Sequence, residues 1–358
     1  MIVDTLEIPI VLAPLAGGPS TPRLAASVSD AGGFGFLGAG YLSAQALADM
    51  VGETRTLTRS PFGVNLFVPT EPGRQSDIAR YAGTLADDAL AAGVALGAPR
   101  FSDDEWQAKL DLLIRDPVEV VSFAFGCPSS AIVRSLHEVG SEVWVTVTSP
   151  SDAVTAEAVG ADVLVVQGGE AGGHRGGLRD DGGDPIALLP LLQLVGASTR
   201  LPLVATGAIA TGAAIAAVLA CGARAAALGT AFLRCSEAGT SAVHRSALRG
   251  DATTTMTRAF TGRTARGIRN RFIREHSAAA PAAYPEVHYL TAPLRQAGRA
   301  DGNPELVNLW AGQSYTLSES VPAGELVRRL HIEARTAATR ANQRLSGQPP
   351  RTGGPATC

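Results

Sequence analysis

The chain alternates short apolar runs with helical segments eight times in its first 230 residues, and this alternation limits its fold more than any other feature. Most runs are continuous apolar or β-branched stretches, which is typical of parallel strands buried on both faces. Ala-rich segments such as SAQALADMVGE and TGAAIAAVLACGA separate several of them. The predicted strands are 8–13, 33–37, 63–67, 118–125, 142–147, 162–167, 202–206 and 225–228.

Strand–helix alternation repeated eight times predicts an α/β protein with a TIM (β/α)8 barrel, and a doubly wound open sheet is the alternative. The connections 68–117 and 168–201 are too long for plain βα units. Both follow the C-terminal end of a strand, where barrel enzymes build their active sites. We therefore predict a barrel over 1–235 with an insertion at 68–117, a helical substrate-side lobe over 236–345 that caps the barrel mouth, and a disordered tail at 346–358.

Composition and charge exclude several classes of protein. A hydrophobic content of 46% argues against general disorder. The formal net charge of −3, without a long basic run, argues against nucleic-acid binding. No apolar stretch of about 20 residues lacks both glycine and charge, and no basic residues precede the N-terminal apolar run. We therefore expect a cytoplasmic protein without a membrane span.

The cysteines and lysines also limit the chemistry. The four cysteines show neither CxxC nor zinc-ligand spacing, so we expect reduced thiols and no metal site. The single lysine, Lys109, lies in the amphipathic run DDEWQAKLDLLIRD, which predicts a surface helix. Schiff-base chemistry needs a desolvated lysine at a site. A lysine aldolase or a pyridoxal phosphate enzyme is therefore excluded.

One GxGxxG pattern does not predict a dinucleotide site. Gly33, Gly35 and Gly38 match its spacing, but they lie within an apolar run and not between a strand and a helix. We interpret them as glycines that ease packing around a barrel strand.

The ends of the last two predicted strands carry the stronger phosphate signal. LVATGAIATG places Gly207 and Ala208 between a strand and a helix, and ALGT ends the next strand with Gly229 and Thr230. Glycine lets backbone approach a ligand closely, and free amides at a helix N-terminus attract anions. The loops after strands seven and eight are the usual phosphate site of a TIM barrel.

The segment QGGEAGGHRGG contains the residues that most strongly indicate chemistry. Gln167 ends an apolar strand, and six glycines follow around His174. So many glycines are costly unless backbone must pass close to a ligand. Gln167 is placed to bond the edge of a planar heterocycle, and an imidazole at His174 can act as a base near neutral pH. The other histidines lie in helical or irregular polar stretches, where we expect surface or capping roles; they are His137, His244, His276, His288 and His331.

Two earlier strand ends complete the predicted site. Asn65 is a polar residue in an otherwise apolar strand, and a buried amide needs partners, either a cofactor or a neighbouring loop. The first strand ends in Ala13, Pro14 and Leu15 before two glycines, which leaves room for a ring against the backbone.

In this order, the motifs resemble the nitronate monooxygenase family, formerly called 2-nitropropane dioxygenases. The resemblance covers about residues 8–313 and rests on PIVLAPLAGG, PFGVNLFVP, the His174 loop, LVATGAIA, ALGTAF and LWAGQ. It implies tightly bound FMN, with the ring near Asn65, Gln167 and Gly172 and the phosphate at Gly207 and 229–230. It also implies that His174 abstracts the proton α to a nitro group. The predicted cofactor-binding residues are Ala13, Pro14, Leu15, Asn65, Gln167, Gly172, Gly173, Gly207, Ala208, Leu228, Gly229 and Thr230.

The family resemblance also predicts a reaction and its partners. Alkyl nitronates such as propionate 3-nitronate would react with O2 to give a carbonyl compound and nitrite, in a monomer or homodimer. Arg175 is a candidate for the substrate carboxylate, and the alternative is a solvated loop arginine. The stretches 309–313 and 284–291 would close the substrate side. One alternative is a related FMN barrel that takes hydride from NAD(P)H, as quinone or enoyl-acyl-carrier-protein reductases do. Another is a phosphate-binding barrel without flavin, or a flavin carrier with no turnover.

Two positions depart from the family pattern. Leu15 replaces a frequent methionine of similar volume. Ala208 replaces a frequent glycine, and this predicts either an ordinary backbone angle there or some strain.

Overall fold

The computed structural model describes residues 1–347, in which eight parallel strands form one sheet and a second, antiparallel sheet has three strands. The strands are β1 Ile10–Leu12, β2 Gly35–Gly38, β3 Phe62–Phe67, β4 Val120–Ala124, β5 Glu142–Val147, β6 Val163–Gln167, β7 Gly173–His174, β8 Leu203–Thr206, β9 Ala225–Leu228, β10 Thr254–Thr257 and β11 Ala265–Ile268. Every predicted run overlaps a strand of the large sheet, and β2 and β3 each extend one residue beyond their predicted runs. The predicted TIM barrel is confirmed.

The large sheet curls on itself in the order β1-β9-β8-β6-β5-β4-β3-β2. Its two end strands meet at a parallel bridge between Val11 and Phe34. There the amide of Leu12 donates to the carbonyl of Phe34 at 2.8 Å, and the amide of Phe34 donates to the carbonyl of Ile10 at 3.0 Å. This pairing joins the two edge strands and so closes the barrel.

Helices follow the barrel strands, and many begin at a hydroxyl residue that the sequence places at the end of the preceding loop. The side-chain oxygens of Thr21, Ser43, Ser129, Ser149 and Thr211 each accept a backbone amide in the first turn. The helices are α1 Ile2–Thr5, α2 Pro22–Asp30, α3 Ala44–Leu57, α4 Gln75–Thr84, α5 Ala86–Ala91, α6 Trp106–Arg115, α7 Ser130–Glu138, α8 Pro150–Val159, α9 Leu188–Ser198, α10 Gly212–Ala220, α11 Ala242–Ala247, α12 Arg271–His276, α13 Glu286–Ala300 and α14 Ala323–Leu345.

The chain after β9 differs from a purely helical lobe. Strands β10 and β11 lie within it, and β11 pairs with β7 of the glycine loop, so this region is tied to the loop by backbone hydrogen bonds. The last helix, α14, packs on α10 and α2 and buries Leu326, Val327 and Leu330 in the barrel's own apolar core. It therefore stands where the eighth barrel helix belongs. The division at residue 235 stays a prediction, and the predicted tail lies beyond residue 347 apart from its first two residues.

The inside of the barrel is filled below its mouth by three aromatic rings. Phe34 stacks on Trp144 at 5.6 Å between centroids, and Phe36 meets both rings edge-on. These side chains and the surrounding valines leave the lower barrel filled, so a ligand can enter only from the carboxyl ends of the strands.

The structure confirms the interpretation of the GxGxxG pattern. A Cβ on Gly33 would lie 2.7 Å from the carbonyl oxygen of Ile10, and one on Gly35 would lie 2.2 Å from that of Ala25. These glycines let β2 pack tightly against its neighbours.

The run around Lys109 forms a helix with an exposed face, as predicted, but Lys109 lies on its buried face. Its side chain is 1% exposed, and Nζ bonds the Asp104 carboxylate at 2.7 Å and donates to the carbonyl of Ala39 at 3.0 Å. Helix periodicity could not show this, because the groups that pair with the lysine come from loops outside its helix. Among residues 1–347, no helix is both long and apolar enough to cross a bilayer.

Candidate functional site

A cavity of about 740 Å³ opens at the carboxyl ends of the barrel strands. It is lined by His174 and by eleven of the twelve predicted cofactor-binding residues. The exception is Leu228, which is 1% exposed and whose carbonyl accepts the amide of Ala13 at 2.9 Å. The tertiary structure therefore brings residues from five separate sequence motifs to one site.

One end of the cavity presents backbone amides that lack acceptors. The amides of Ala208, Ile209, Gly229 and Thr230 donate to no group in residues 1–347. Ala208 adopts φ +51°, a left-handed conformation that costs a non-glycine residue about 1–2 kcal/mol. The predicted strain at this position is thus present. The Ser314 hydroxyl, which donates to the Ala208 carbonyl at 2.5 Å, helps to hold the turn.

The first turn of α10 contributes less to this end than the sequence suggested. The Gly212 amide donates to the Glu333 carboxylate of α14 at 3.2 Å, and the Ala214 amide donates to the Thr211 hydroxyl at 3.2 Å. Free donors for an anion therefore come mainly from the two turns that precede helices. The sequence could not show this, because Glu333 lies 121 residues away.

Gln167 uses both ends of its amide to hold the glycine loop. Its Nε2 donates to the carbonyl of His174 at 2.9 Å, and its Oε1 accepts the amide of Gly176 at 2.8 Å. The loop is also tied to β11, where Gly173 and His174 pair with Arg266 and Ala265. His174 is therefore carried on a fixed backbone, although it lies in a segment rich in glycine.

The ring of His174 lies in an aromatic enclosure at the cavity wall. Its centroid is 5.6 Å from Phe125, 5.7 Å from Tyr284 and 5.5 Å from Trp310. Burial, with the nearby positive charge of Arg263 as the next cause, lowers the pKa of His174 to about 3. The imidazole is accordingly neutral at pH 7.

Thr261 is the side-chain partner of the His174 ring. The threonine Oγ1 lies 2.9 Å from Nε2 and 3.3 Å from the carbonyl oxygen of Arg263. When the hydroxyl donates to that carbonyl, Oγ1 accepts the Nε2 proton and Nδ1 carries the lone pair; when the hydroxyl donates to Nε2, the proton of the ring is on Nδ1. Nδ1 has no partner in the described part of the chain.

Asn65 is fixed by the neighbouring strand. Its Nδ2 donates to the Ser122 hydroxyl at 2.9 Å and to the Ser122 carbonyl at 3.2 Å, while the residue lines the cavity. No donor in residues 1–347 bonds the side-chain oxygen Oδ1. It remains available to a ligand's N–H or O–H group.

Helix α13 supplies a wall of the cavity, and the predicted substrate-side stretch 284–291 covers only its first part. His288, Ala292, Arg295 and Arg299 lie on one face of this helix and line the cavity. Their spacing of three and four residues was the available signal. Tyr41 stacks on His288 with centroids 4.0 Å apart.

The expected surface roles of several histidines are also wrong. His244 and His276 are each 7% exposed, and both His244 and His288 line the cavity. Burial lowers the pKa of His244 to about 4 and that of His288 to about 2. These histidines are polar in sequence, but the helices that carry them are covered by 304–315 and by the insertion after β3.

Arg175, the candidate for a substrate carboxylate, points away from the cavity. Its Nη1 donates to the carbonyls of Gly168 at 2.8 Å and Gln167 at 3.2 Å, and the residue is not part of the cavity lining. It stabilises the backbone of the glycine loop. A cation for a substrate anion must therefore come from another element.

The late LWAGQ motif lies against the glycine loop. The Gly312 amide donates to the Thr230 hydroxyl at 3.1 Å, and the Gln313 amide donates to the Glu170 carbonyl at 3.1 Å. A Cβ on Gly172 would come within 2.5 Å of the Gly312 nitrogen. This close contact requires glycine at position 172 and makes the motif one boundary of the cavity.

Comparison with known proteins agrees with this arrangement. The family model described as nitronate monooxygenase matches residues 2–333. A nitronate monooxygenase from Pseudomonas aeruginosa is 40% identical, over 92% of this chain and 97% of its own length. The structure of nitroalkane oxidase from Streptomyces ansochromogenes superposes with a TM-score of 0.93 at 47% identity, covering 95% of this chain and 99% of that one. FabK from Thermotoga maritima superposes with a TM-score of 0.73 at 26% identity, covering 97% and 98%.

Proposed function

Because this chain belongs to the nitronate monooxygenase family, we propose that it uses FMN and O2 to oxidise alkyl nitronates, such as propionate 3-nitronate, to a carbonyl compound and nitrite. Its relatives make it an oxidoreductase. The observation that carries the finer proposal is the position of His174. This imidazole is neutral at pH 7 and lines the same cavity as residues whose backbone amides are unpaired within 1–347.

The cavity residues fit FMN. Its volume of about 740 Å³ is within the usual range for a cofactor with a small substrate. The free amides of 208–209 and 229–230 suit the dianionic phosphate, and Asn65 Oδ1 suits an N–H of the ring. When bound, FMN supplies redox chemistry that no side chain in the cavity provides.

His174 acts as the base when the substrate is a neutral nitroalkane. The α-carbon gives its proton to Nδ1, the C–H electron pair moves into a C=N bond, and the negative charge goes to the nitro oxygens. In the arrangement that this role requires, Thr261 accepts the Nε2 proton and Nδ1 carries the lone pair. A nitronate enters already ionised and needs no such step, so the histidine matters for one class of substrate and not for the other.

The test compares the two substrate classes in His174→Ala. We expect turnover of neutral nitroethane to fall by about 10²–10⁴, the usual contribution of a general base, while ethyl nitronate turnover changes only a few-fold. His137→Ala is the control, because that side chain is 40% exposed and bonds only Asp162. Equal losses with both substrates would contradict the role of base.

The cofactor and the oxidant have a separate test. The purified protein should release FMN on acid denaturation, and propionate 3-nitronate added without O2 should change the flavin spectrum while NADPH does not. Full reduction by NADPH without a response to the nitronate would overturn the proposal in favour of the reductase alternative. A colourless protein that takes up no FMN would exclude a flavin-dependent function.

A further inference from the structure

Arg295 is a buried cation without an acidic partner. Its side chain is 4% exposed, its Nε donates to the Thr291 hydroxyl at 3.1 Å, and its Nη2 donates to the His288 carbonyl at 2.6 Å. These acceptors are neutral. No carboxylate lies within 4.0 Å of the guanidinium in residues 1–347, and Nη1 has no partner there.

The charge lining the cavity is entirely of one sign in the described part of the chain. Arg295 and Arg299 are its two arginines, one helical turn apart on α13, and no Asp or Glu side chain is among the lining residues. Arg299 bonds only the Asn308 amide oxygen, at 3.3 Å. Burying a guanidinium costs free energy unless an anion pairs with it. This wall of the cavity therefore favours a negatively charged ligand.

The ligand's anionic group is distinct from the phosphate of the proposed cofactor. The free amides for that phosphate lie at the ends of β8 and β9, whereas Arg295 lies on α13 beside His288. Its charge is also near enough to contribute to the lowered pKa values of both His174 and His288. The unpaired cation therefore lies on the side of the cavity where a substrate would meet His174.

We propose that Arg295, assisted by Arg299, forms a subsite for a carboxylate that the substrate carries away from its nitronate carbon, so that this enzyme selects acidic nitronates over neutral ones. The proposal rests on the proposed function and assigns its specificity to α13. Arg295 Nη1 binds one carboxylate oxygen, and the aliphatic part of the substrate spans the distance to His174. The subsite replaces the role that sequence alone suggested for Arg175.

The experiment measures kcat/KM for propionate 3-nitronate and for the nitronate of 1-nitropropane, which has a methyl group in place of the carboxylate. Wild type should prefer the acidic substrate. In Arg295→Gln that preference should fall by about 10- to 100-fold, the range for a charge-assisted hydrogen bond, through a higher KM. Arg295→Lys should recover part of it, and Arg340→Gln, on the exposed part of α14, should leave it unchanged.

The outcomes separate this proposal from the proposed function. The subsite is overturned if wild type oxidises both nitronates without preference, or if Arg295→Gln loses both activities equally. In either case the family activity stands. Should Arg295→Gln fail to fold, Arg299→Gln, at a less buried position, must lower the same preference, and an unchanged preference counts against the subsite. FMN-loaded protein that oxidises neither nitronate overturns the proposed function itself. If NADPH reduces the flavin of wild type and Arg295→Gln loses only that reduction, the carboxylate subsite is overturned and the cations bind a nicotinamide phosphate instead.

Discussion

Replacing Lys109 by methionine tests whether the single lysine supports the wall of the cavity. The lysine is 1% exposed and bonds Asp104 at 2.7 Å, and the other oxygen of that carboxylate accepts the Tyr41 amide at 2.9 Å. Tyr41 lines the cavity with φ +70°, so the ion pair helps to hold a strained residue in place. Lys109→Met keeps the apolar length of the side chain and removes its charge.

The expected cost is about 3 kcal/mol in the free energy of unfolding. Removing one partner of a buried ion pair costs roughly 3–5 kcal/mol, and the lower end applies because Asp104 is 20% exposed. The pH dependence gives a second signature. Burial already raises the pKa of Asp104, and Lys109 opposes that rise, so the variant raises it further. A raised carboxyl pKa costs stability above that pKa and costs nothing once the group is protonated.

The assay is urea unfolding followed by circular dichroism at pH 8 and pH 5. The stability gap between wild type and Lys109→Met should be larger at pH 8. Adding Asp104→Asn should recover at least half of it, and Arg115→Met on the exposed side of α6 should cost less than about 0.5 kcal/mol. A gap below about 1 kcal/mol, or one of equal size at both pH values, would refute the reasoning.

Three further predictions test other parts of the site. Thr261→Val removes the acceptor of the His174 Nε2 proton and should lower neutral nitroalkane turnover about tenfold, the equivalent of one hydrogen bond; nitronate turnover and Thr261→Ser should remain near wild type. Gly172→Ala places a Cβ 2.5 Å from a backbone nitrogen, so it should lower the free energy of urea unfolding by about 1–3 kcal/mol and lower the flavin content. Gly52→Ala is the control, because open space surrounds Gly52, and it should not destabilise the protein. The pKa of His244 is lowered to about 4, so protonation of this histidine favours the unfolded chain. Between pH 8 and pH 5 the free energy of unfolding of wild type should therefore fall by about 2 kcal/mol more than that of His244→Gln, as urea unfolding would measure.

Local sequence patterns were sufficient to predict the barrel and the turns that line its cavity. A strand buried on both faces needs an unbroken apolar run, and every predicted run overlaps a strand of the large sheet. In a parallel barrel all carboxyl ends lie at one mouth, so Asn65, Gln167, Gly207 and Gly229 were expected together. They do line one cavity. Their roles toward a cofactor stay predictions.

Long-range packing decided what local patterns could not indicate. A charged residue on an amphipathic helix has the same sequence pattern whether its partner is water or groups of the folded chain, so the sequence did not show that Lys109 is buried against Asp104 and Ala39. For the same reason Arg175 was named as a candidate for the ligand and Arg295 was missed. Helix α14 completes the ring of helices around the barrel, although residues 229–322 separate it from β9 in the sequence.

The sequence by itself therefore determined the fold, the edge of the barrel that bears the site and the histidine within it, because these follow from periodicity and from glycine and polar residues at strand ends. Only the tertiary structure decided which cations face the cavity and which brace its loops. The reason is that a side chain's charge is local, whereas its burial and its partner depend on elements that are brought together from distant parts of the chain.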